Sequence, residues 1–297
     1  MTQTVAITGA TGFIGRHLCK RLTGRGWKVR ALARTPQSFD LGDGIEVYRC
    51  DLPDLIDASA LEGATAVIHC AYETRATDPE GARATNEQGT ARLHQLARGA
   101  GVESFVFLSS ITAHPETLSY YGRSKLAIER TLDLSRDSVI RSGLVIGPGT
   151  GGLFHRMADA LRRTRLVPIV DGGHQTLQTT YLEDLSTAIE RVTETGDAGR
   201  RVIAEADGPS VRDFFEALGA RLGVRPRFLP VPAGPLAAVL RAFERLRIPL
   251  PVTSENVLGM KSLTYQDPRP DLEALGISPL SANESLTRAL RGPSPQP

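Results

Sequence analysis

Cysteine is scarce in this chain: Cys19, Cys50 and Cys70 are the only three in 297 residues. They lie far apart, form no CxxC pair and show no metal-ligand spacing, so neither a disulfide framework nor a structural zinc site is expected. The reading is three reduced, mostly buried thiols. An excess of one charge is also missing. Thirty-five basic residues against 33 acidic ones leave a formal net charge of +2, with no long basic run, so no nucleic-acid partner is expected. No apolar run is long enough to span a bilayer. The first apolar stretch, Val5 to Ile7, runs straight into a glycine motif, which reads as a strand and not as a signal peptide. A cytoplasmic location without membrane contact is the expectation. The six histidines form no HxxxH or HxxE pair, and no metal is expected.

What is present is alternation. Apolar strand-like runs at Thr4–Thr8, Lys28–Ala33, Ile45–Arg49, Ala66–Cys70, Ser104–Leu108 and Ser138–Ile146 alternate with helical patterns at Phe13–Thr23, about 80–99 and Tyr121–Leu134. Such alternation predicts an α/β fold, a Rossmann doubly wound parallel sheet covered by helices on both faces. After Gly147-Pro148-Gly149 the pattern loosens. A smaller, mostly helical C-terminal substrate lobe is predicted, with helices at about 211–222, 235–246 and 283–290. The core would occupy 1–146, with 179–206 returning to it. The lobe would take 147–178 and 207–291, and 292–297 would be a disordered tail.

Thr8-Gly9-Ala10-Thr11-Gly12-Phe13-Ile14-Gly15 follows the first strand and opens the first helix. This is a GxxGxxG form of the dinucleotide turn. Gly9 permits the bend, Gly12 lets backbone approach a pyrophosphate, and Gly15 lets helix and strand pack closely. The helix N-terminus faces the phosphates with a partial positive charge. Gly9, Thr11, Gly12, Phe13, Ile14 and Gly15 are therefore expected to bind the cofactor. The second strand ends at Arg34, where an acid would hold a ribose 2′-hydroxyl and an arginine suits a 2′-phosphate. The expected cofactor is NADP in preference to NAD.

Tyr121 and Lys125 are four residues apart, on one face of a helix. A nearby ammonium favours phenolate, which makes Tyr121 a candidate to exchange a proton at a carbonyl or alcohol carbon. Taken with TGATGFIG at 8–15, Asp51-Leu52, His69-Cys70-Ala71, Asn86, Gly89-Thr90, Leu108-Ser109-Ser110, Arg141, Gly147-Pro148 and Tyr181 to Leu185, the pair makes the chain resemble the extended short-chain dehydrogenase/reductase family, also called the NAD-dependent epimerase/dehydratase family. The resemblance implies roles. Asp51 would accept the adenine amino group with Leu52 beside the ring, and Cys70 and Ala71 would line the ribose or phosphate. Ser110 would hold the substrate oxygen, with Thr112 as a nearby alternative hydroxyl. Tyr121 would transfer the proton, and Lys125 would bind the nicotinamide ribose and tune Tyr121. Leu144 is counted with the cofactor-binding residues, and Asp184 looks structural. In this family a homodimer can form through the helices at about 80–99 and 121–134.

Two departures bear on the substrate. Nucleotide-sugar epimerases usually carry an asparagine where Leu144 stands and often an arginine where Leu177 stands. A diphosphate would miss those donors. The expected function is an NADP-dependent oxidoreductase acting on a carbonyl or alcohol of a small, fairly apolar organic molecule, by hydride transfer with proton transfer from tyrosine. The alternatives are a nucleotide-sugar epimerase or dehydratase and a non-catalytic NADP(H)-binding sensor or scaffold. The stretch Pro235–Leu246 carries one apolar stripe beside Arg241, Glu244 and Arg245, read as core packing or a substrate lid, with a membrane-surface or partner helix as the rival reading.

Overall fold

The strand Thr-Val-Ala-Ile-Thr, β1 (Thr4–Thr8), has all five residues buried, as an apolar run must when helices cover both faces of a sheet. This computed structural model describes residues 3–36, 42–74, 79–246, 248 and 253–291; the expected disordered tail, 292–297, lies outside the described residues. From β1 the chain alternates: α1 (Phe13–Gly24), β2 (Lys28–Ala33), β3 (Ile45–Asp51), β4 (Leu55–Ile56), β5 (Ala66–His69), α2 (Pro79–Arg83), α3 (Gly89–Gly99), β6 (Ser104–Ser110), α4 (Tyr120–Glu129) and β7 (Asp137–Ser142). It continues with β8 (Leu144–Ile146), α5 (Gly152–Thr164), β9 (Leu166–Ile169), β10 (Thr179–Tyr181), α6 (Leu182–Thr195), β11 (Gly199–Ile203), α7 (Val211–Leu222), β12 (Arg227–Pro230), α8 (Ala233–Arg245), α9 (Ser254–Lys261), α10 (Arg269–Ala274) and α11 (Ala282–Leu290).

The main sheet has eight strands in the order β11-β7-β6-β5-β1-β2-β3-β4. Pairing is parallel from β6 through β5, β1 and β2 to β3, and antiparallel where the short β4 folds back on β3. This is the expected doubly wound Rossmann sheet. The strand order reverses at β1, where ligands bind beyond the carboxyl ends of the strands in open α/β sheets.

The chain divides into two compact units. The first holds the chain up to Ser109, Ser124–Arg141 and Ser186–Arg201; the second holds Ser110–Arg123, Ser142–Leu185 and the chain from Val202. The core of the first joins Ala6, Leu32, Val67, Leu93, Phe105 and Phe107. The core of the second joins Ile146, Phe154, Ile169, Phe214, Leu218 and Leu286.

Three local expectations are corrected. The helix expected over 121–134 stops at Glu129, because Asp133 Oδ1 accepts from the N–H (3.0 Å) and hydroxyl (2.7 Å) of Ser135, a local turn that competes with helix. The strand expected over 138–146 is two. β7 joins the main sheet, whereas β8 pairs in parallel with β10. Gly143 separates them because the Gln178 carbonyl oxygen occupies the place of a Cβ. The strand Thr179–Tyr181 therefore lies outside the main sheet, which the chain rejoins at β11, and the helix expected from about Leu185 starts at Leu182.

Candidate functional site

In the first unit, the glycine turn is held against the end of β5. A Cβ on Gly9, whose φ is +64°, would lie 2.7 Å from the Ala71 nitrogen and 2.9 Å from the Cys70 carbonyl carbon. A Cβ on Gly15 would overlap the Gly9 carbonyl oxygen. A Cβ on Gly12 would meet only that same oxygen, at 3.1 Å. Two glycines are thus required by backbone packing, while Gly12 leaves its outer side open. Gly12 caps α1 without a side-chain hydrogen bond, and the first turn holds no acid. A helix start of this kind, next to open backbone, fits a pyrophosphate. The expected residues Gly9, Thr11, Gly12, Phe13, Ile14 and Gly15 therefore lie together with Cys70 and Ala71.

His69, buried and quoted in the sequence motif without a role, ties this arrangement together. The Ala71 N–H donates to Thr8 Oγ1 at 3.2 Å, and Thr8 Oγ1 lies 2.6 Å from His69 Nδ1. On the other side His69 Nε2 is 2.8 Å from Thr90 Oγ1, whose proton goes to the Asn86 carbonyl at 2.5 Å. Thr90 can then only accept from the ring, so Nε2 carries the hydrogen and Nδ1 accepts from Thr8. Burial pushes the imidazole down to about 3, which keeps it neutral. Asn86 completes the chain by bonding the Glu73 N–H (2.7 Å) and carbonyl (3.1 Å).

The adenine end is also in this unit. Asp51 closes β3 and is exposed, and Leu52 is so close to α3 that a Cβ on Gly89 would lie 2.8 Å from the Leu52 Cβ. Arg34 follows β2 with its side chain 72% exposed, 3.7 Å from Glu73 Oε2. Among described residues this pairing leaves the guanidinium in solvent, where a surface ion pair is weak.

Lys125 is buried. Its ammonium donates to the Leu108 carbonyl at 2.6 Å and lies over the rings of Tyr72 (4.4 Å) and Phe107 (4.5 Å). Burial lowers it to about 7, against the pull of Cys70 and Glu129. The Cys70 thiol is pushed up to about 12 by burial, which makes it an inert wall. Glu129, one helical turn beyond Lys125, accepts from the Ser109 hydroxyl (2.5 Å), from two nitrogens of Arg141 (2.9 and 2.7 Å) and from Arg200 (3.0 Å). Sequence reasoning missed it, although the extension of the Tyr121/Lys125 spacing by four reaches it.

In the second unit Ser110 and Tyr121 meet. Ser110 Oγ accepts from the Thr112 N–H (3.2 Å) and hydroxyl (3.0 Å). With both lone pairs engaged, its own proton is the group left to bond the Tyr121 phenol. Burial pushes the phenol up to about 12, and the Ser110 bond pulls the other way. The Tyr121 backbone N–H donates to Glu255 Oε2 at 3.2 Å; nothing in the sequence signals that pair, 134 residues apart. Gly122 follows because Thr117 and the Thr112 carbonyl occupy the place of a Cβ. Leu144 and Leu177 both pack against the second core. Asp184 accepts the Leu280 N–H at 2.9 Å and is raised by burial, a structural setting. Among the described residues no group of three His, Cys, Asp or Glu could hold a metal ion, and no helix is long and apolar enough to cross a membrane.

The chain is 32% identical over 241 residues to the ceramide reductase of Caulobacter vibrioides (strain NA1000 / CB15N), covering 77% of this chain and 73% of that protein. Its fold is shared with a UDP-glucuronic acid 4-epimerase from Bacillus cereus in complex with NAD: TM-score 0.75, 20% identity, 97% of this chain and 96% of that one. It is also shared with the human epimerase family protein SDR39U1 (isoform 2) with NADPH: TM-score 0.71, 21% identity, 97% and 99% covered. The model of one family matches residues 5–204, the stretch that holds the glycine turn, Ser110, Tyr121 and Lys125. The chain therefore belongs to the NAD-dependent epimerase/dehydratase family, and is of the extended short-chain dehydrogenase/reductase type.

Proposed function

We propose that this chain is an NADP-dependent reductase or dehydrogenase acting on the carbonyl or alcohol carbon of an apolar organic substrate. The observation that carries the reading is the Ser110–Tyr121 bond with a phenol held near 12. A phenol protonated at neutral pH can give its proton to a carbonyl oxygen, and a hydroxyl aimed at its oxygen stabilises the phenolate left behind. Bound nicotinamide supplies or accepts the hydride. Lys125 would bind the ribose. Ser110 turns from the phenol to the substrate oxygen or holds both. Asp51, Leu52, Cys70 and Ala71 would line the cofactor.

The substrate class rests on two facts. The positions where epimerases carry an asparagine and an arginine hold Leu144 and Leu177, both packed against apolar side chains. The relative at 32% identity is a ceramide reductase, which favours a lipid-like carbonyl compound over a nucleotide sugar. For the cofactor, Arg34 would exchange Glu73 for a 2′-phosphate, a stronger partner for a guanidinium. Arg34→Ala should then weaken NADPH at least about tenfold and leave NADH nearly unchanged. Tighter binding of NADH than NADPH by the parent chain would refute the cofactor choice.

The experiment is a screen of NADPH oxidation against ketones and aldehydes of increasing chain length, repeated with Tyr121→Phe. Turnover that rises with chain length and collapses in the variant supports the reading. Conversion of a sugar nucleotide without net NADPH oxidation would replace it with an epimerase. Silence across the panel, with NADPH bound, would favour a sensor.

A further inference from the structure

Helix α8 has two apolar stripes, and among the described residues one of them is packed. Ala233, Ala237 and Leu240 are buried and pack with Val170 and Val257. On the other side Pro235, Ala238, Val239, Ala242, Phe243 and Leu246 are exposed. They recur at three- and four-residue spacing, so they form one line along the helix, about 16 Å long at 1.5 Å per residue. The concentration is local. Of ten exposed large hydrophobic residues among those described, five (Leu229, Val239, Phe243, Leu246 and Ile248) fall within twenty positions.

The charges beside the stripe have one sign. Arg241 and Arg245 are exposed, and on a helical projection both fall on the same flank of the apolar line. The acid of this helix, Glu244, is turned away. It accepts the Ser254 N–H at 2.6 Å and the Ser254 hydroxyl at 2.8 Å, and so anchors the start of α9. The outward face thus combines apolar side chains with guanidinium groups and carries no carboxylate.

We infer that the outward face of α8 docks on an anionic phospholipid bilayer, with Val239, Phe243 and Leu246 in the headgroup–acyl boundary and Arg241 and Arg245 against the lipid phosphates. Depth and charge are both satisfied by such a surface. A helix lying flat buries a stripe of this width, and guanidiniums on its flank meet the headgroups. The surface potential of an anionic leaflet adds attraction for each basic residue. This inference stands apart from the reductase reading, because vesicle binding needs no turnover.

The test is flotation of the full chain with vesicles of phosphatidylcholine, alone or containing phosphatidylglycerol. The chain should float with the anionic vesicles and only weakly with the neutral ones. The Phe243→Ser/Leu246→Ser variant should reduce the bound fraction at least about tenfold. Arg241→Gln and Arg245→Gln should each weaken binding about fivefold and flatten its salt dependence. All four side chains are exposed, so circular dichroism and the thermal midpoint should stay at the parent values. Phe243→Trp supplies a second readout: its fluorescence should shift to the blue when anionic vesicles are added. Absence of flotation with anionic vesicles would overturn the inference. So would a dimer seen by sedimentation velocity that depends on Phe243 and Leu246 without vesicle binding, since the stripe would then belong to a second copy.

Discussion

Beneath the glycine turn, the first unit pairs its buried polar side chains and packs two glycines against backbone. His69 has both ring nitrogens satisfied, Asn86 bonds a peptide at both ends, and Gly9 and Gly15 sit where any side chain would strike backbone. Helix α8 of the second unit is the opposite case. Gly234 faces open space, and Val239, Phe243 and Leu246 are exposed. The difference teaches where tolerance lies. A region whose buried polar side chains are paired and whose glycines lie against backbone absorbs little change. A region that presents apolar surface to solvent keeps its stability when altered and loses only what that surface binds.

The comparison can be broken or sharpened by substitution. The largest effect is expected from Tyr121→Phe, which should lower turnover by about two to four orders of magnitude while the dissociation constant for NADPH changes less than about twofold, as read by stopped-flow and fluorescence titration. Gly15→Val should come next. Its side chain must displace the Gly9 carbonyl, so a loss of about 2–3 kcal/mol in urea unfolding is expected, with NADPH affinity falling in parallel.

His69 predicts a pH effect. Its folded value, about 3, lies below the ordinary 6.5, so the stability it contributes is present above pH 6.5 and is lost as pH falls toward 3. Between pH 6.5 and 5 the parent chain should lose about 2 kcal/mol more than His69→Gln. Equal slopes for the two proteins would mean that the imidazole already takes up a proton in the folded state.

Lys125 follows the same sign in a higher pH window, because its folded value of about 7 lies below 10.5. Stability from this group is complete above pH 10.5 and is lost as pH falls toward 7. Lys125→Met should therefore stabilise the ligand-free chain by about 1–2 kcal/mol at pH 7, a gain that shrinks toward pH 10, while NADPH binding weakens. The smallest effect is expected from Gly234→Ala, a gain of about 0.5–1 kcal/mol in an exposed helix, measured as a small rise in the urea midpoint.

How much was legible depends on the range of the contact. β1, its glycine turn and α1 were readable because strand period, bend and helix start occupy adjacent residues, and the order of strands and helices then implied the sheet. Tyr121 and Lys125 were readable for the same reason, being one helical turn apart. Glu129 was within reach of that spacing and was missed. The split of 138–146 at Gly143 was not readable, because the Gln178 carbonyl that forces it arrives from 35 residues away. The partner of β10 and the Glu255 contact to the Tyr121 backbone were hidden likewise.

The order of residues by itself determined the local grammar: which runs pleat, where glycine permits a turn, and which side chains share a helical face. Only the tertiary structure decided which buried polar groups become partners, so that His69 is neutral with its hydrogen on Nε2, Ser110 aims its proton at a phenol, and one stripe of α8 packs while the other faces outward. Periodicity is a property of neighbouring residues, whereas hydrogen-bond direction and burial are properties of groups brought together from distant parts of the chain.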